Sequence, residues 1–372
     1  MGKPKAAVTT STSCWMMLKI ESFNGAFCRS CPLGCDLHRA ESRLPVGAEK
    51  HSSDKLLVLG DFPGPQETDE GRPFVGPAGM ELQEALSEAG IHRTDCCFDN
   101  VLACRPKMDD LSGYMLRLGR RNRKLRSQGK EEWATPMAAC KPRLHQNLKG
   151  FRHFLALGPV AAASLRGGHP SIMKLRGMCE VIPAPWDKEV EIYVAYSLHP
   201  SFVMRSTRWR ETFRHDIAKA NRFFHGKLSW KDPEILWPTT PEEIRQALGV
   251  LRKAGKAVAY DVETDAKNPL EANLRCLAFA NVDTAVVVSI LSIDGTTRSH
   301  GPSSEEEVLD LIRDFLVNPG VPLTGHNAGQ YDRLVCEEQL GVTPKLSADT
   351  LLLHLLANNE MPHNLGFVGS RY

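Results

Sequence analysis

Apolar residues in the first two thirds of the chain fall in short unbroken runs, each followed by a loop and then a helical period. Leu56-Leu57-Val58-Leu59, ending at Gly60, is such a run, and the strand it predicts begins at Lys55. Further strands are predicted at Cys96–Val101, Phe151–Leu157 and Val190–Tyr196. Runs of three to five apolar residues without alternation suit strands buried on both faces. Met80–Ala89, the segment from Cys140 to Leu148, the stretch after Gly158 and Trp209–His225 are the intervening helices. Strand and helix in alternation predict an open α/β sheet with parallel strands.

The pattern changes after Leu228. Leu228–Thr239 has two tryptophans and two prolines without periodicity, and is expected to be a linker. Thr240-Pro241-Glu242-Glu243 then starts a helix, with an N-cap Thr, a Pro in the first turn and a Glu to close a capping box. Ala257–Thr264 predicts a strand, Leu274–Ala280 with Thr284–Ile290 an antiparallel pair, and Val321–Gly325 another strand running into a helix. A Leu-rich helix begins at Asp349. The expected organisation is a partly disordered lead-in (1–26), a first domain (27–227) with an insertion at 107–134, a linker (228–239) and a second domain (240–372).

Composition adds limits. The 372 residues suffice for two or three domains, and 42% hydrophobic with 24% charged residues is ordinary for a globular protein. A net charge of +2 does not by itself announce a nucleic-acid partner. No run approaches membrane-spanning length and no signal-peptide core is present, so no membrane partner and a cytoplasmic location are expected. Eleven cysteines, odd in number and spread along the chain, argue against a disulfide framework and leave some as metal or cluster ligands.

Chemistry-bearing residues collect at the predicted strand ends. Gly60-Asp61-Phe62-Pro63-Gly64 with Glu67 and Phe74 forms a loop after the first strand, where α/β sheets place ligands. The small residues Gly60 and Gly64 allow backbone N–H groups close approach to a ligand. Asn100 ends the second strand, Gly158-Pro159 follows the third, and His199-Pro200-Ser201 follows the fourth. Cys28-Arg29-Ser30-Cys31 has the spacing for two thiolates on one metal centre. Arg117–Arg126 is strongly basic, which suits either a phosphate contact or a solvated, mobile loop. In the second domain Asp261 and Glu263 alternate onto one strand face, and Asp332 can add a third carboxylate for a divalent cation.

From Phe27 to Phe224 these motifs resemble the family 4, iron–sulfur uracil-DNA glycosylases. The residues that carry the resemblance are Gly60–Gly64 with Glu67, Gly71-Arg72-Pro73-Phe74-Val75-Gly76, Asn100-Val101-Leu102-Ala103-Cys104-Arg105-Pro106, Leu157–Ala161, Arg176-Gly177 and His199-Pro200-Ser201. The resemblance implies a three-layer α/β/α sandwich on a central parallel four-stranded sheet. It also implies a [4Fe–4S] cluster on Cys28, Cys31, Cys104 and Cys140. Cys28-x-x-Cys31-Pro32-Leu33 matches the family pattern, with Cys35 as an alternative ligand. Asp61 stands where the family usually has Glu, one methylene longer.

The implied activity is hydrolysis of the N-glycosidic bond of uracil flipped out of DNA. Phe74 would stack on the base and Asn100 would read its edge, with Gly60, Gly64 and Ser201 also lining the substrate. His199 would stabilise the uracil anion, Asp61 would position water, and Glu67 would act in catalysis or brace the loop. The alternative is a module that recognises uracil without cutting. The second domain resembles the 3′–5′ exonuclease domain of family A DNA polymerases, with an RNase H-like fold. Asp261-x-Glu263 matches its first motif and Asn327-x-x-x-Tyr331-Asp332 its second; no third Tyr-x-x-x-Asp motif follows Asp349. That implies an incomplete exonuclease, Mg²⁺ or Mn²⁺ on Asp261, Glu263 and Asp332, little or no nuclease activity, and the remainder of a DNA polymerase as partner. A monomer is expected.

Overall fold

The computed structural model describes Cys28, Cys31, Leu33 and residues 45–51, 56–228, 231–292 and 295–371. The lead-in at 1–26, Cys35 and Lys55 lie outside the described residues. The chain divides after Leu228 into two compact units.

The first unit is built on a sheet of order β2-β1-β3-β5-β4. β1 is Leu56–Gly60, β2 Cys96–Asn100, β3 His153–Leu157, β4 Cys179–Ala184 and β5 Asp187–Ser197. The four strands expected from the sequence are parallel to their neighbours. A fifth, β4, joins antiparallel to β5, so the sheet is one strand wider than the four expected. β4 lies on an edge and carries Pro183 near its end, which weakens its strand signal. β1 and β2 are buried along their whole length. The helices Pro136–Leu148 and Pro159–Arg166 cover one face, sharing a core with Leu57, Leu59, Phe154 and Val194. The helix Arg210–Phe224 packs on β5 and on the helix Pro77–Glu88, where Arg210 pairs with buried Glu81 at 2.9 Å.

Residues 107–134, expected as a basic insertion, contain a 17-residue helix, Leu111–Ser127, capped by Asp110, whose side chain accepts from the Gly113 N–H. Low helix hydropathy and repeated arginines hide its packed face. Leu111, Tyr114, Met115, Leu118, Asn122 and Leu125 recur at helical spacing and are its less exposed positions.

The second unit holds a six-stranded sheet of order β11-β10-β7-β8-β9-β6. Its strands are β6 Glu234–Leu236, β7 Val258–Thr264, β8 Leu274–Ala280, β9 Thr284–Ser289, β10 Leu323–Gly325 and β11 Leu346–Asp349. The expected antiparallel pair is β8 with β9. Part of the expected linker is β6, which pairs parallel to β9; three residues are too few to show a period. The predicted capping box is present at Thr240 and Glu243. β7 alternates buried and exposed, so Val258, Tyr260 and Val262 enter a core with the helices Pro241–Ala254 and Pro302–Val317.

Candidate functional site

The carboxyl ends of β1, β2, β3 and β5 surround a cavity of about 740 Å³. Its lining includes Asp61, Gly64, Glu67, Phe74, Asn100, Val160, His199, Ser201 and Arg205. Parallel strands bring these residues together from distant parts of the chain because every strand ends on the same edge. Of the expected site residues in this unit, only Gly60 and the cysteines are absent from the lining.

Gly60 acts from beneath. It pairs with Asn100 in the β1–β2 register. A Cβ there would collide with the Asn100 Oδ1 and lie 2.6 Å from the Phe74 ring. The missing side chain lets the amide and the ring meet over the strand end. Phe74 itself is buried, at φ 53°, a conformation rare for an aromatic residue. Arg93 holds it there by donating to the Phe74 carbonyl at 2.9 Å and the Pro73 carbonyl at 2.8 Å. The ring lies 6.4 Å from that of His199, near parallel.

Asp61 is pinned to the start of the helix Pro159–Arg166. Its Oδ1 accepts from the Val160 and Ala161 N–H groups at 3.0 and 2.9 Å. Those bonds and the helix N-terminus favour the carboxylate. Burial opposes them and prevails, raising its pKa to about 7. Gly158, at φ 99°, leaves room: a Cβ there would lie 2.7 Å from Asp61 Oδ2. Burial likewise raises the Glu67 pKa. The Glu67 carboxylate accepts from the Gly64 N–H, so it ties the loop to itself.

His199 caps the helix Pro200–Arg205. Its Nδ1 lies 2.8 Å from the Ser201 hydroxyl and 3.3 Å from the Ser201 N–H, which donates to it. A backbone N–H can only donate, so Nδ1 is the accepting nitrogen and Nε2 carries the proton. Burial, with help from the Arg205 charge, lowers the His199 pKa to about 4. The ring is therefore a neutral donor at ordinary pH.

No motif in the sequence points to the network behind Asn100. Arg143, fully buried, donates to both oxygens of Asp99 at 2.9 and 3.0 Å. It also donates to the Asn100 and Val101 carbonyls, and Asn147 adds a bond to Asp99 at 3.0 Å. Arginine is almost never fully buried unless paired, and its partner is 44 residues away. A second buried pair, Arg176 with Asp216, stands behind β5, where the Ser197 hydroxyl donates to Asp216 at 2.9 Å.

Cys28, Cys31, Cys104 and Cys140 line one small cavity away from the strand ends, with Leu33, Leu102 and Pro136 around them. Four thiols and an otherwise apolar wall suit an iron–sulfur cluster. In the second unit Asp261 and Glu263 share the exposed face of β7, and the Asp332 Oδ1 accepts from the Val262 N–H at 3.1 Å. Among the described residues no three His, Cys, Asp or Glu side chains meet in a group that would hold a single metal ion, those carboxylates included.

Residues 48–224 match the family model described as the uracil DNA glycosylase superfamily. A type-4 uracil-DNA glycosylase of Thermotoga maritima is 31% identical over 212 residues, covering 56% of this chain and 94% of that protein. Its counterpart from Pyrobaculum aerophilum is 30% identical over 200 residues, covering 52% and 88%. Among solved structures, Escherichia coli RNase D, an exoribonuclease involved in structured RNA processing, aligns with a TM-score of 0.27 at 17% identity. That alignment covers 37% of this chain and only 32% of the RNase D chain.

Proposed function

Because the chain belongs to the type-4 uracil-DNA glycosylase family, we propose that the cavity at the ends of β1, β2, β3 and β5 is where it hydrolyses the bond between uracil and deoxyribose in DNA. The observation that carries this is the convergence of Asp61, Phe74, Asn100 and His199 on that one cavity. Uracil must leave the base stack to be cut, at a cost of a few kcal/mol. The Phe74 ring offers it a new stacking face. The Asn100 amide donates and accepts at once, so it fits the uracil edge and leaves unpaired groups against cytosine.

As the C1′–N1 bond breaks, its electron pair passes to the uracil ring and the sugar becomes an oxocarbenium ion. The Nε2–H of neutral His199 donates to the anionic uracil oxygen, and Ser201 fixes the tautomer that makes this possible. The Asp61 carboxylate offsets the sugar cation and orients the water that adds to C1′, accepting its proton. Oδ1 is occupied by two backbone donors, which leaves Oδ2 for the water. Glu67 braces the loop through Gly64. Cys28, Cys31, Cys104 and Cys140 would hold a [4Fe–4S] cluster, whose part is to tie together the segments before β1, after β2 and in the helix Pro136–Leu148. A uracil-containing oligonucleotide incubated with the protein and then treated with alkali tests the assignment. Strand scission is expected; binding without scission would support a recognition module instead.

For the second unit we read a 3′–5′ exonuclease-like domain joined to a DNA polymerase, on the strength of Asp261 and Glu263 on one face of β7 and of Asp332, whose carboxylate accepts from the Val262 N–H of that strand. Little nuclease activity is expected from it. Degradation of single-stranded DNA with Mg²⁺ that disappears in Asp261→Ala would overturn that expectation.

A further inference from the structure

We propose that the exposed face of the helix Leu111–Ser127 docks the phosphate backbone of duplex DNA alongside the uracil pocket. The proposal rests on the glycosylase reading and says how that site holds its substrate. The helix carries Arg117, Arg120, Arg121, Arg123, Lys124 and Arg126, all exposed, and no acidic residue. Like charges three and four residues apart, such as Arg117 with Arg121 and Arg120 with Lys124, destabilise a helix. A helix that keeps them is suited to a polyanion.

The cations divide into two sets. Arg117 pairs with Asp110 at 3.6 Å, Arg126 with Glu132 at 2.6 Å, and Arg121 lies 5.1 Å from the Trp133 ring. These contacts fasten the helix to its own flanks. Asn122 adds a reciprocal pair with Trp133, donating to its carbonyl at 2.8 Å and accepting from its N–H at 3.0 Å. The side chains of Arg120, Arg123 and Lys124 make no hydrogen bond or ion pair among the described residues. Their spacing places them on one exposed stripe.

Position and chemistry favour duplex DNA over other anionic partners. Asp110, Leu111 and Ser112, at the start of the helix, line the rim of the cavity. DNA whose base enters the cavity therefore passes the first turn. From Arg120 to Lys124 the helix rises roughly 6 Å, about two base-pair steps of duplex. A membrane surface would need a free apolar face. The apolar positions of this helix, Leu118 above all, are turned into its own unit, and Leu116 is its exposed large aliphatic.

The test is Arg120→Gln/Arg123→Gln/Lys124→Gln in the full chain. Gln removes charge and keeps helix propensity. Binding to a labelled undamaged duplex is measured by anisotropy across a salt series, which needs no catalysis. Three lost phosphate contacts reduce the log–log salt slope by about 2.7. Between 50 and 200 mM salt the wild type then loses about 40-fold more affinity than the triple variant. Thermal melting is expected to be unchanged or raised, since repulsion is relieved. An unchanged salt slope in a folded variant would overturn the proposal. So would an unchanged slope accompanied by lost binding to anionic vesicles, which would assign the stripe to a membrane. Failure of the glycosylase reading shows separately, as wild-type protein that binds duplex yet yields no alkali-labile uracil sites.

Discussion

Asp61 Oδ1 accepts a hydrogen bond from the Ala161 N–H at 2.9 Å, across 100 residues of chain. The bond joins the loop after β1 to the helix after β3 and fixes one carboxylate oxygen before any substrate arrives. Burial outweighs the two backbone donors and puts the Asp61 pKa at about 7.

Excision is therefore expected to rise with pH. In the proposed mechanism the ionised carboxylate is the working form, so kcat/KM should climb roughly tenfold per pH unit below 7 and level off above it. The stability effect has the opposite sign. The pKa is raised from 3.8 to about 7, so the native state holds the proton more tightly than the unfolded one. Stability from this group is full below 3.8 and is lost as pH rises to 7. Asp61→Asn should lose excision, flatten the pH profile and melt at higher temperature than the wild type at pH 8. A wild-type profile flat from pH 5.5 to 8.5 would remove Asp61 from the reaction.

His199 should add no inflection to that profile. With a pKa near 4 it stays neutral throughout the range where Asp61 titrates. Its proposed contribution is a hydrogen bond to developing charge, and losing one such donor costs ~100–1000-fold in rate. His199→Ala should show that loss in kcat with duplex binding kept. Ser201→Ala should lose much less, because the Ser201 N–H that donates to Nδ1 and fixes the tautomer remains. Full activity in His199→Ala would exclude the ring from the site.

Gly60→Ala tests the packing of the base reader. The new methyl would press on the Asn100 amide and the Phe74 ring together. Overpacking of this kind costs ~1–3 kcal/mol. Discrimination between uracil and cytosine should fall along with excision of uracil, because both groups that frame the base are displaced. Competition by free uracil measures the pocket directly. Unchanged inhibition in Gly60→Ala would mean that Asn100 and Phe74 do not form it.

The strand ends are legible from sequence because buried parallel strands are written as local apolar runs, and the residues just after each run land on one edge. Asp61, Asn100 and His199 are placed by that rule alone. β4 is not legible: it is an edge strand interrupted by Pro183. The helix Leu111–Ser127 is hidden by its charge. Arg143 and Asp99 illustrate a deeper limit. Each looks like a surface residue until the fold sets them 2.9 Å apart, and no local period encodes a pair 44 residues distant.

That pair should be costly to break. Arg143→Met leaves the Asp99 carboxylate buried without a counter-charge, held only by the Asn147 amide and the Asn100 N–H, and removing one partner of a buried ion pair costs about 3–5 kcal/mol. Asp99→Asn/Arg143→Met removes both charges and should recover most of the melting temperature. Excision should stay impaired in the double variant, since the guanidinium also holds the Asn100 and Val101 carbonyls. Recovery of both stability and activity would show that Arg143 does not position Asn100.

The cysteines give a prediction that does not depend on catalysis. Cys104 follows β2, Cys140 lies in the helix Pro136–Leu148, and Cys28 and Cys31 come from the segment before β1. A cluster shared by all four would join three separate segments of the unit at one point. Protein purified without oxygen should be brown and carry about four irons per chain. Cys104→Ser and Cys140→Ser should each lose most of the iron and become more sensitive to proteolysis near the cysteine cavity. A Cys35→Ser variant with full iron content would leave Cys28 and Cys31 as the first two ligands. Iron lost in Cys35→Ser but kept in Cys28→Ser would instead make Cys35 the ligand.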